Sequence, residues 1–385
     1  MPAVERQRDD VLAAARRGLL LALHPDPTRF ADWVRAHGEG LDWAWIVRTA
    51  GAHKVAALLA ARVEASGVGE IVGATLGAQL ADVRRDAAAR AALAEHTLAR
   101  IAATFGAAAI PFFVVKGSLL SHRVYGDARL RRFADVDVVV HRVDVARAEA
   151  ALTTLGYYPG GIEEILAVPP KLAADQARAQ ELTRRFHARQ LAAFSWYPPR
   201  GNTLLPVDLH WHVAPARLRV SEAALWSETT ATRLDQTELL TFTPAATLVH
   251  LAAHATTSLF SGFRLMHLCD VGWAAGAFSA HEPALWQLAE RWRVRQHMMR
   301  VFALVEGVLE IEMPSPPLAR HRGDRGVAAA AGARFLLDAP SSKTWPLRRR
   351  LWPELRWGVA MRSMRRNVAI TAAVSWARLR FKLAR

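Results

Sequence analysis

The hydrophobic positions of this chain follow a helical period toward both ends and a strand period in the middle. Near the start, apolar residues recur every four positions at Val11, Ala15, Leu19 and Leu23, as they do on one face of an α-helix. The Ala- and Arg-rich stretch 76–105 lacks proline and predicts a long helix. Further helices are predicted at 30–34, 43–47, 55–63, 143–155, 245–259, 265–275 and 283–309, and a loop followed by a helix at 169–185.

Strand-like patterns lie between residues 112 and 213. Phe112–Val115 is rich in aromatic and β-branched residues, which indicates a buried strand. In the segment 135–140, valines at alternate positions predict a second strand with one apolar face. The segments 190–197 and 204–213 predict a strand pair, because the turn-forming sequence Pro-Pro-Arg-Gly-Asn separates them.

Carboxylates occupy the polar faces of two of these strands. Asp135 and Asp137 share one face, with α-carbons ~6.6 Å apart, and two carboxylates on a rigid strand are suited to divalent cations. Asp208 lies on the polar face of the strand at 204–213, and His210 follows it on that face. We expect this strand to be an antiparallel neighbour of the Asp-x-Asp strand. Because Asp-x-Asp is common by chance, the metal-site prediction depends on the surrounding residues.

Residues suited to binding phosphate precede the two aspartates. Lys116, Gly117 and Ser118 directly follow the first strand, where a strand would lead into a helix. Gly117 has no side chain, so backbone N–H groups can approach a phosphate, and Lys116 is predicted to reach a triphosphate. Arg131 and Arg132 are expected to neutralise phosphate oxygens. The alternative for Lys116 is a solvent-exposed lysine at a strand end.

Together these features resemble the DNA polymerase β-like nucleotidyltransferase superfamily, and more narrowly its bacterial family of uncharacterised nucleotidyltransferases. The resemblance covers about residues 20 to 310, and two departures from the pattern stand out. Sixteen residues separate Ser118 from Asp135, more than in compact members, and Arg132 stands where a proline is expected. The matching residues are Lys116-Gly117, Tyr125, Arg131, Asp135-Val136-Asp137, Gly156-Tyr157 and Val207-Asp208-Leu209-His210-Trp211.

The resemblance implies an α+β fold, with a polymerase β-like palm built on a small mixed β-sheet and flanked by N-terminal and C-terminal helical lobes. We predict an N-terminal helical region at 1–104, the palm at 105–215, a helical lobe at 216–317 and a basic helical tail at 318–385. The resemblance also implies that Asp135, Asp137 and Asp208 are catalytic and bind Mg2+ or Mn2+. The nucleoside triphosphate would then contact Lys116, Gly117, Ser118, Arg131, Arg132 and His210.

The implied activity is transfer of a nucleoside monophosphate from a nucleoside triphosphate to a hydroxyl or similar acceptor. Such a transfer develops concentrated negative charge, so catalysis depends on positioning and on charge neutralisation. The acceptor is not readable from the sequence: a small molecule, a peptide or protein, and RNA are all open, as is a role in tailoring natural products or polysaccharides. Two alternatives are phosphoryl transfer at the same site and a non-catalytic module that binds a nucleotide or peptide.

The predicted helical lobe at 216–317 contains two further residue pairs that could have a functional role. His250 and His254 have a spacing that can chelate zinc, but no Glu lies between them as in the metalloprotease motif. Arg264 and Asp270 are expected to form an ion pair that fixes this lobe, with a phosphate contact as the alternative for Arg264.

Charge is concentrated in the tail. Of the net charge of +15, the segment 318–385 carries +13, because it has sixteen Lys or Arg residues against three acidic ones. Contact with an anionic membrane, contact with nucleic acid or an acidic peptide, and simple packing on the body are the three uses considered. A single cysteine excludes a disulfide within the chain, and the charged N-terminus argues against a signal peptide. We therefore expect a cytoplasmic protein, peripheral to the membrane only through its tail.

Overall fold

The computed structural model describes residues 3–160, 192–199, 201, 203–213, 220–258, 264–279 and 282–314. The loop and helix predicted at 169–185 and the basic tail at 318–385 lie outside the described residues. The predicted α+β class, with a mixed sheet between helical regions, is confirmed. The four domain boundaries stay predictions.

The N-terminal region is helical, as the apolar spacing predicts. Ala15, Leu19 and Leu23 are buried, whereas Val11, near the middle of the first helix, is exposed. The Asp42 carboxylate accepts a hydrogen bond from the Trp45 backbone N–H and caps the third helix. The helices are α1 (Ala3–Ala22), α2 (Thr28–His37), α3 (Trp43–Ala52), α4 (Ala56–Ser66), α5 (Gly69–Val72) and α6 (Ala74–Ala107).

The described strands form one seven-stranded sheet in the order β3-β4-β5-β2-β1-β7-β6. The pairs β1/β2, β3/β4, β4/β5 and β6/β7 are antiparallel, whereas β2/β5 and β1/β7 are parallel. The strands are β1 (Phe112–Val115), β2 (Val136–Val140), β3 (Tyr158–Pro159), β4 (Ala193–Tyr197), β5 (Val207–His210), β6 (Thr229–Leu234) and β7 (Thr237–Phe242).

The remaining helices connect these strands or follow them. After β1, α7 continues as a π-helix at Ser121–Tyr125 and ends at Gly126, which adopts the left-handed conformation that glycine tolerates. The helices are α7 (Gly117–Leu120), α8 (Val145–Thr154), α9 (Glu222–Trp226), α10 (Pro244–Ser258), α11 (Leu265–Ala277), α12 (Glu282–Arg291) and α13 (Arg295–Leu309).

The orientation of β5 differs from the sequence prediction. We expected β5 to run antiparallel to the Asp-x-Asp strand, but it runs parallel to β2, with Asp137 opposite Asp208. Helix α8 follows β2 and returns the chain across the sheet before β3 begins. The antiparallel pairs β3/β4 and β4/β5 then reverse the direction twice, which leaves β5 running the same way as β2.

The two faces of the sheet pack against different sets of helices. Phe113, Val115 and Val139 join a core formed with the N-terminal helices and with α10 to α13. Val114 and Val138 join a second core with the C-terminal half of α6 and with α8. Because side chains alternate along a strand, Asp137 belongs to the face covered by the terminal helices. Within the described part of the chain, no helix combines the length and the apolar character needed to cross a bilayer.

Candidate active site

The turn after β1 has a strained backbone. Lys116 has φ 55° and ψ −144°, a conformation that residues other than glycine rarely adopt and that costs on the order of 1–3 kcal/mol. Gly117 has φ 52°, and a side chain at this position would meet the Asp135 carbonyl oxygen at 3.7 Å. The Ser118 hydroxyl is buried and has no hydrogen-bond partner among the described residues. A buried polar group without a partner calls for an explanation, and a bound ligand is one.

Asp137 is the most tightly held carboxylate of the site. The Lys116 Nζ atom lies 2.9 Å from Asp137 Oδ1, and His210 Nε2 lies 3.0 Å from the same oxygen. Burial alone would raise the pKa of Asp137, but the charge of Lys116 and the hydrogen bond from His210 hold it well below its usual range. Asp137 is therefore a carboxylate anion on which two cationic or hydrogen-bonding groups converge.

Asp208 lies directly across from Asp137 on β5. The Ser195 hydroxyl on β4 donates a hydrogen bond of 2.6 Å to Asp208 Oδ1 and fixes its orientation. Asp137, Asp208 and His210 each offer one possible ligand atom, and these three atoms lie within 4.8 Å of one another. Carboxylate oxygens suit Mg2+ and Mn2+, and an imidazole nitrogen suits transition metals, so this donor set fits a divalent cation.

Asp135 lies just before β2, outside this cluster of three but close to it. Burial raises the pKa of Asp135, and the nearby charges of Asp137 and Asp208 raise it further, to about 6. The three predicted carboxylates thus come together at the start of the two neighbouring interior strands β2 and β5. Asp135 as a metal ligand stays a prediction.

The two arginines predicted to contact the triphosphate, Arg131 and Arg132, each have a carboxylate partner, and their phosphate contacts stay predictions. Arg131 is buried and donates two hydrogen bonds to Asp270, at 2.7 and 3.0 Å. The Tyr125 hydroxyl donates to the same carboxylate at 2.8 Å. Arg132 is exposed and donates to Asp86 at 3.1 Å. To contact a phosphate, either guanidinium would have to bind the phosphate and its carboxylate partner at the same time.

The ion pair expected between Arg264 and Asp270 is wrong. Both oxygens of Asp270 are occupied by the planar guanidinium of Arg131, a bidentate arrangement that holds a carboxylate well. Asp270 therefore ties the segment before β2 to α11. Asp270 does form an ion pair, as expected, but its partner is Arg131 and not Arg264.

Three histidines of α10 and α11 lie close together: His250 and His267 are buried, and His254 is half-buried. They are not part of the one candidate metal cluster found among the described residues. The rings of His250 and His254 lie 6.1 Å apart, and those of His254 and His267 lie 5.5 Å apart. Burial is the main cause that lowers the pKa of His250 to about 3 and that of His267 to about 4. Nearby charges add to this, from Lys116 and His210 for His250 and from Arg131 and Arg264 for His267, while Asp137 and Asp270 oppose them.

These histidines predict a loss of stability in mild acid. A histidine near pKa 6.5 in the unfolded chain takes up a proton before its buried counterpart does, so the free energy of unfolding falls as the pH drops below about 6.5. Each such histidine should cost about 2 kcal/mol between pH 7 and pH 5. Asp135 acts in the opposite sense, because its raised pKa favours the folded state in acid. His250→Leu should therefore reduce the acid-induced loss by about 2 kcal/mol, measured by urea unfolding at both pH values. An unchanged difference between pH 7 and pH 5 in this variant would contradict the buried, neutral state of His250.

The sequence of this chain matches a known protein family. A family model described as an uncharacterised nucleotidyltransferase matches residues 39–310. The chain belongs to this nucleotidyltransferase family. No curated protein matches the sequence.

Two solved structures of nucleotidyltransferases are similar to this one at low identity. The antibiotic-resistance factor ANT(2'')-Ia is 11% identical, with a TM-score of 0.34, and the match covers 53% of this chain and 94% of that one. An antigenic nucleotidyltransferase-like protein from Paracoccidioides brasiliensis is 14% identical, with a TM-score of 0.29, and the match covers 57% of this chain and 94% of that one.

The family assignment confirms the resemblance inferred from the sequence. The matched region contains all three predicted carboxylates, the turn after β1 and the buried pair of Arg131 and Asp270. The protein is thus a transferase of the nucleotidyltransferase class. The sequence analysis did not predict the hydrogen bonds from Ser195 to Asp208 and from His210 to Asp137. The alternation of side chains along a strand was an available signal, because it places His210 on the same face of β5 as Asp208.

Proposed function

We propose that this nucleotidyltransferase transfers a nucleoside monophosphate from a nucleoside triphosphate to a hydroxyl or similar acceptor, with Mg2+ or Mn2+ as cofactor. The observation that carries the proposal is the meeting of Asp137, Asp208 and His210 beside the Lys116 ammonium at the end of β1. The acceptor is a small molecule, a peptide or protein, or RNA.

Asp137 and Asp208 would hold the cation, with Asp135 alongside and His210 as a further ligand or as an orienting group. A bound divalent cation supplies positive charge to the phosphates and favours deprotonation of the acceptor hydroxyl. The parallel register of β2 and β5 supports this assignment, because it sets Asp137 directly opposite Asp208.

In the proposed reaction, the acceptor oxygen forms a bond to the α-phosphorus while the bond from that phosphorus to the bridging oxygen breaks. Pyrophosphate leaves with the electron pair of the broken bond, and Asp208 accepts the acceptor proton. The hydrogen bond from Ser195 keeps the Asp208 carboxylate oriented for this role. Lys116 and the buried Ser118 hydroxyl would bind phosphate oxygens, which supplies the partner that Ser118 lacks.

Ligand-dependent stability tests the proposal. A nucleoside triphosphate at ~100 times its dissociation constant should stabilise the wild-type protein by about 2.7 kcal/mol, and removal of the divalent cation with EDTA should abolish the effect. Thermal unfolding with ATP, GTP, CTP or UTP, with and without Mg2+, measures this. The same scan of Asp137→Asn should show no stabilisation. Stabilisation of equal size without any cation would count against a metal-dependent site.

The position of a radiolabel then distinguishes the related reactions. Transfer of an α-phosphate label to an acceptor supports nucleotidyl transfer, whereas transfer of a γ-phosphate label indicates phosphoryl transfer. If the protein binds a triphosphate but transfers neither label to acceptors of all three classes, it is a non-catalytic binding module.

A further inference from the structure

Two basic side chains from outside the sheet lie close to each other, and one of them, Lys54, also lies near Asp135. Lys54 follows α3 in the N-terminal region, and Arg264 directly precedes α11 in the C-terminal region. Both are partly buried. Across the described ranges, neither forms a salt bridge with a carboxylate, whereas Lys116, Arg131 and Arg132 each do.

Two hydrogen bonds between His53 and the start of α11 bring the neighbouring residues Lys54 and Arg264 close together. The Leu265 N–H donates to the His53 imidazole Nδ1 at 3.3 Å, and the Met266 N–H donates to the His53 carbonyl oxygen at 3.4 Å. His53 therefore caps the first turn of α11. Lys54 follows His53 in the chain, and Arg264 precedes Leu265. The two cationic residues are therefore close enough for the charge of Arg264 to act on Lys54.

The backbone of Lys54 is strained in this position. Its φ of 58° lies in the left-handed region, which residues with a side chain rarely adopt. Glycine would fit here more easily than lysine. Strain of this kind is common where a residue contacts a ligand.

The surroundings of Lys54 are rich in positive charge. Burial lowers the pKa of Lys54, and the Arg264 charge lowers it further, followed by Arg131 and Arg132. The charge of Asp135 opposes this effect. An anion bound between Lys54 and Arg264 would relieve the repulsion between these like charges.

We propose that Lys54 and Arg264 together bind the pyrophosphoryl part of the nucleoside triphosphate, which rests on the function proposed above. The triphosphate would then lie between the sheet and both helical regions. Asp137 and Asp208 face the α-phosphate and the acceptor, and the pair of cations lies on the Asp135 side, where the departing phosphates need compensating charge.

This assignment predicts that the two cations distinguish a triphosphate from a monophosphate. A charged hydrogen bond to a phosphate is strong enough that loss of one should weaken triphosphate binding by roughly 10- to 100-fold. Binding of the nucleoside monophosphate should change little, because it lacks the groups that the pair contacts.

Isothermal titration of the full chain tests the proposal. Wild type, Lys54→Met and Arg264→Gln are titrated, in the presence of Mg2+, with inorganic tripolyphosphate and with the nucleoside triphosphate that wild type binds best. Arg48→Gln is the matched control, because Arg48 is an exposed cation on α3, near Lys54. We expect both test variants to lose affinity for both probes, and the control to match wild type.

A further variant, Lys54→Gly, distinguishes loss of the lysine charge from loss of the fold. Glycine relieves the left-handed strain, so this variant should melt at or above the wild-type temperature and yet bind the probes as weakly as Lys54→Met. Wild-type affinity in all the variants would overturn the anion site. If only tripolyphosphate binds wild type, and the variants lose it, the anion site stands while the nucleotide function fails. If wild type binds neither probe, both proposals fall.

Discussion

Asp137→Asn should reduce nucleotidyl transfer by a factor of at least about 10³ while the protein stays folded. Asp137 is the carboxylate on which Lys116 and His210 converge, and it lies opposite Asp208 in the parallel pair of β2 and β5. Asparagine keeps the shape of the side chain but removes the charge that a cation requires. Transfer of an α-phosphate label to the acceptor gives the rate, and far-ultraviolet circular dichroism checks the fold.

Asp86→Asn is the matched control for this loss. Asp86 is an exposed aspartate on α6 that is paired with Arg90 and Arg132, so its substitution removes one carboxylate and leaves the cluster intact. It should retain activity within about twofold, because surface ion pairs contribute little. An Asp137→Asn enzyme with more than a tenth of wild-type activity would show that another carboxylate is central.

Arg131→Met should lower the free energy of unfolding by about 3–5 kcal/mol. The substitution leaves Asp270 buried without its bidentate partner, and among the described residues only the Tyr125 hydroxyl still donates to that carboxylate. Urea unfolding monitored by fluorescence measures the change. Arg129→Met makes the comparison, because Arg129 is an exposed arginine paired with Asp127 and should cost no more than about 1 kcal/mol.

A double variant separates lost charge compensation from lost packing. In Arg131→Met/Asp270→Leu, no buried charge is left without a partner, so part of the stability should return. If the double variant is less stable than the sum of the two single changes predicts, packing of the arginine stem dominates and the electrostatic explanation is wrong.

The elements that carry the site were predictable because their patterns are local. The run Phe112–Val115 and the alternating valines of β2 gave both central strands, and the same alternation set the carboxylates apart from the apolar face. The turn at Lys116 and Gly117 follows β1 as expected. Most helices of the terminal regions followed from apolar spacing and composition, but the single helix predicted at 283–309 is wrong. Two helices, α12 and α13, occupy this stretch, and the chain turns between them at Arg293, with φ 56°.

The direction of β5 was not predictable in this way. A strand pattern is the same whichever way the strand runs, and direction depends on the number and kind of connections between strands. The hairpin of β6 and β7 was missed although Thr229–Leu234 and Thr237–Phe242 are rich in β-branched and apolar residues. Its turn at Asp235, with φ 49°, is a signal of the kind that hairpins use.

Contacts between distant residues lay beyond sequence reasoning for a different reason. Arg131 and Asp270 are 139 positions apart, and charge alone could not select Arg131 over Arg264. Lys54 had no motif around it, because its place near Asp135 comes from the bonds that His53 makes to α11. Such pairings are fixed by packing of the helices on the sheet and carry no local signature.

The parallel pairing of β1 with β7 also bears on how the chain is made. The Thr241 hydroxyl donates to the Val114 carbonyl oxygen across a separation of 127 residues. At about 5–20 residues per second, the ribosome needs roughly 6 to 25 s to add the segment between them. For that interval one edge of β1 stays open, and an unpaired apolar strand edge invites pairing with other chains. Newly made molecules should therefore depend on chaperones, or on slow synthesis at low temperature, more than the stability of the finished fold would suggest.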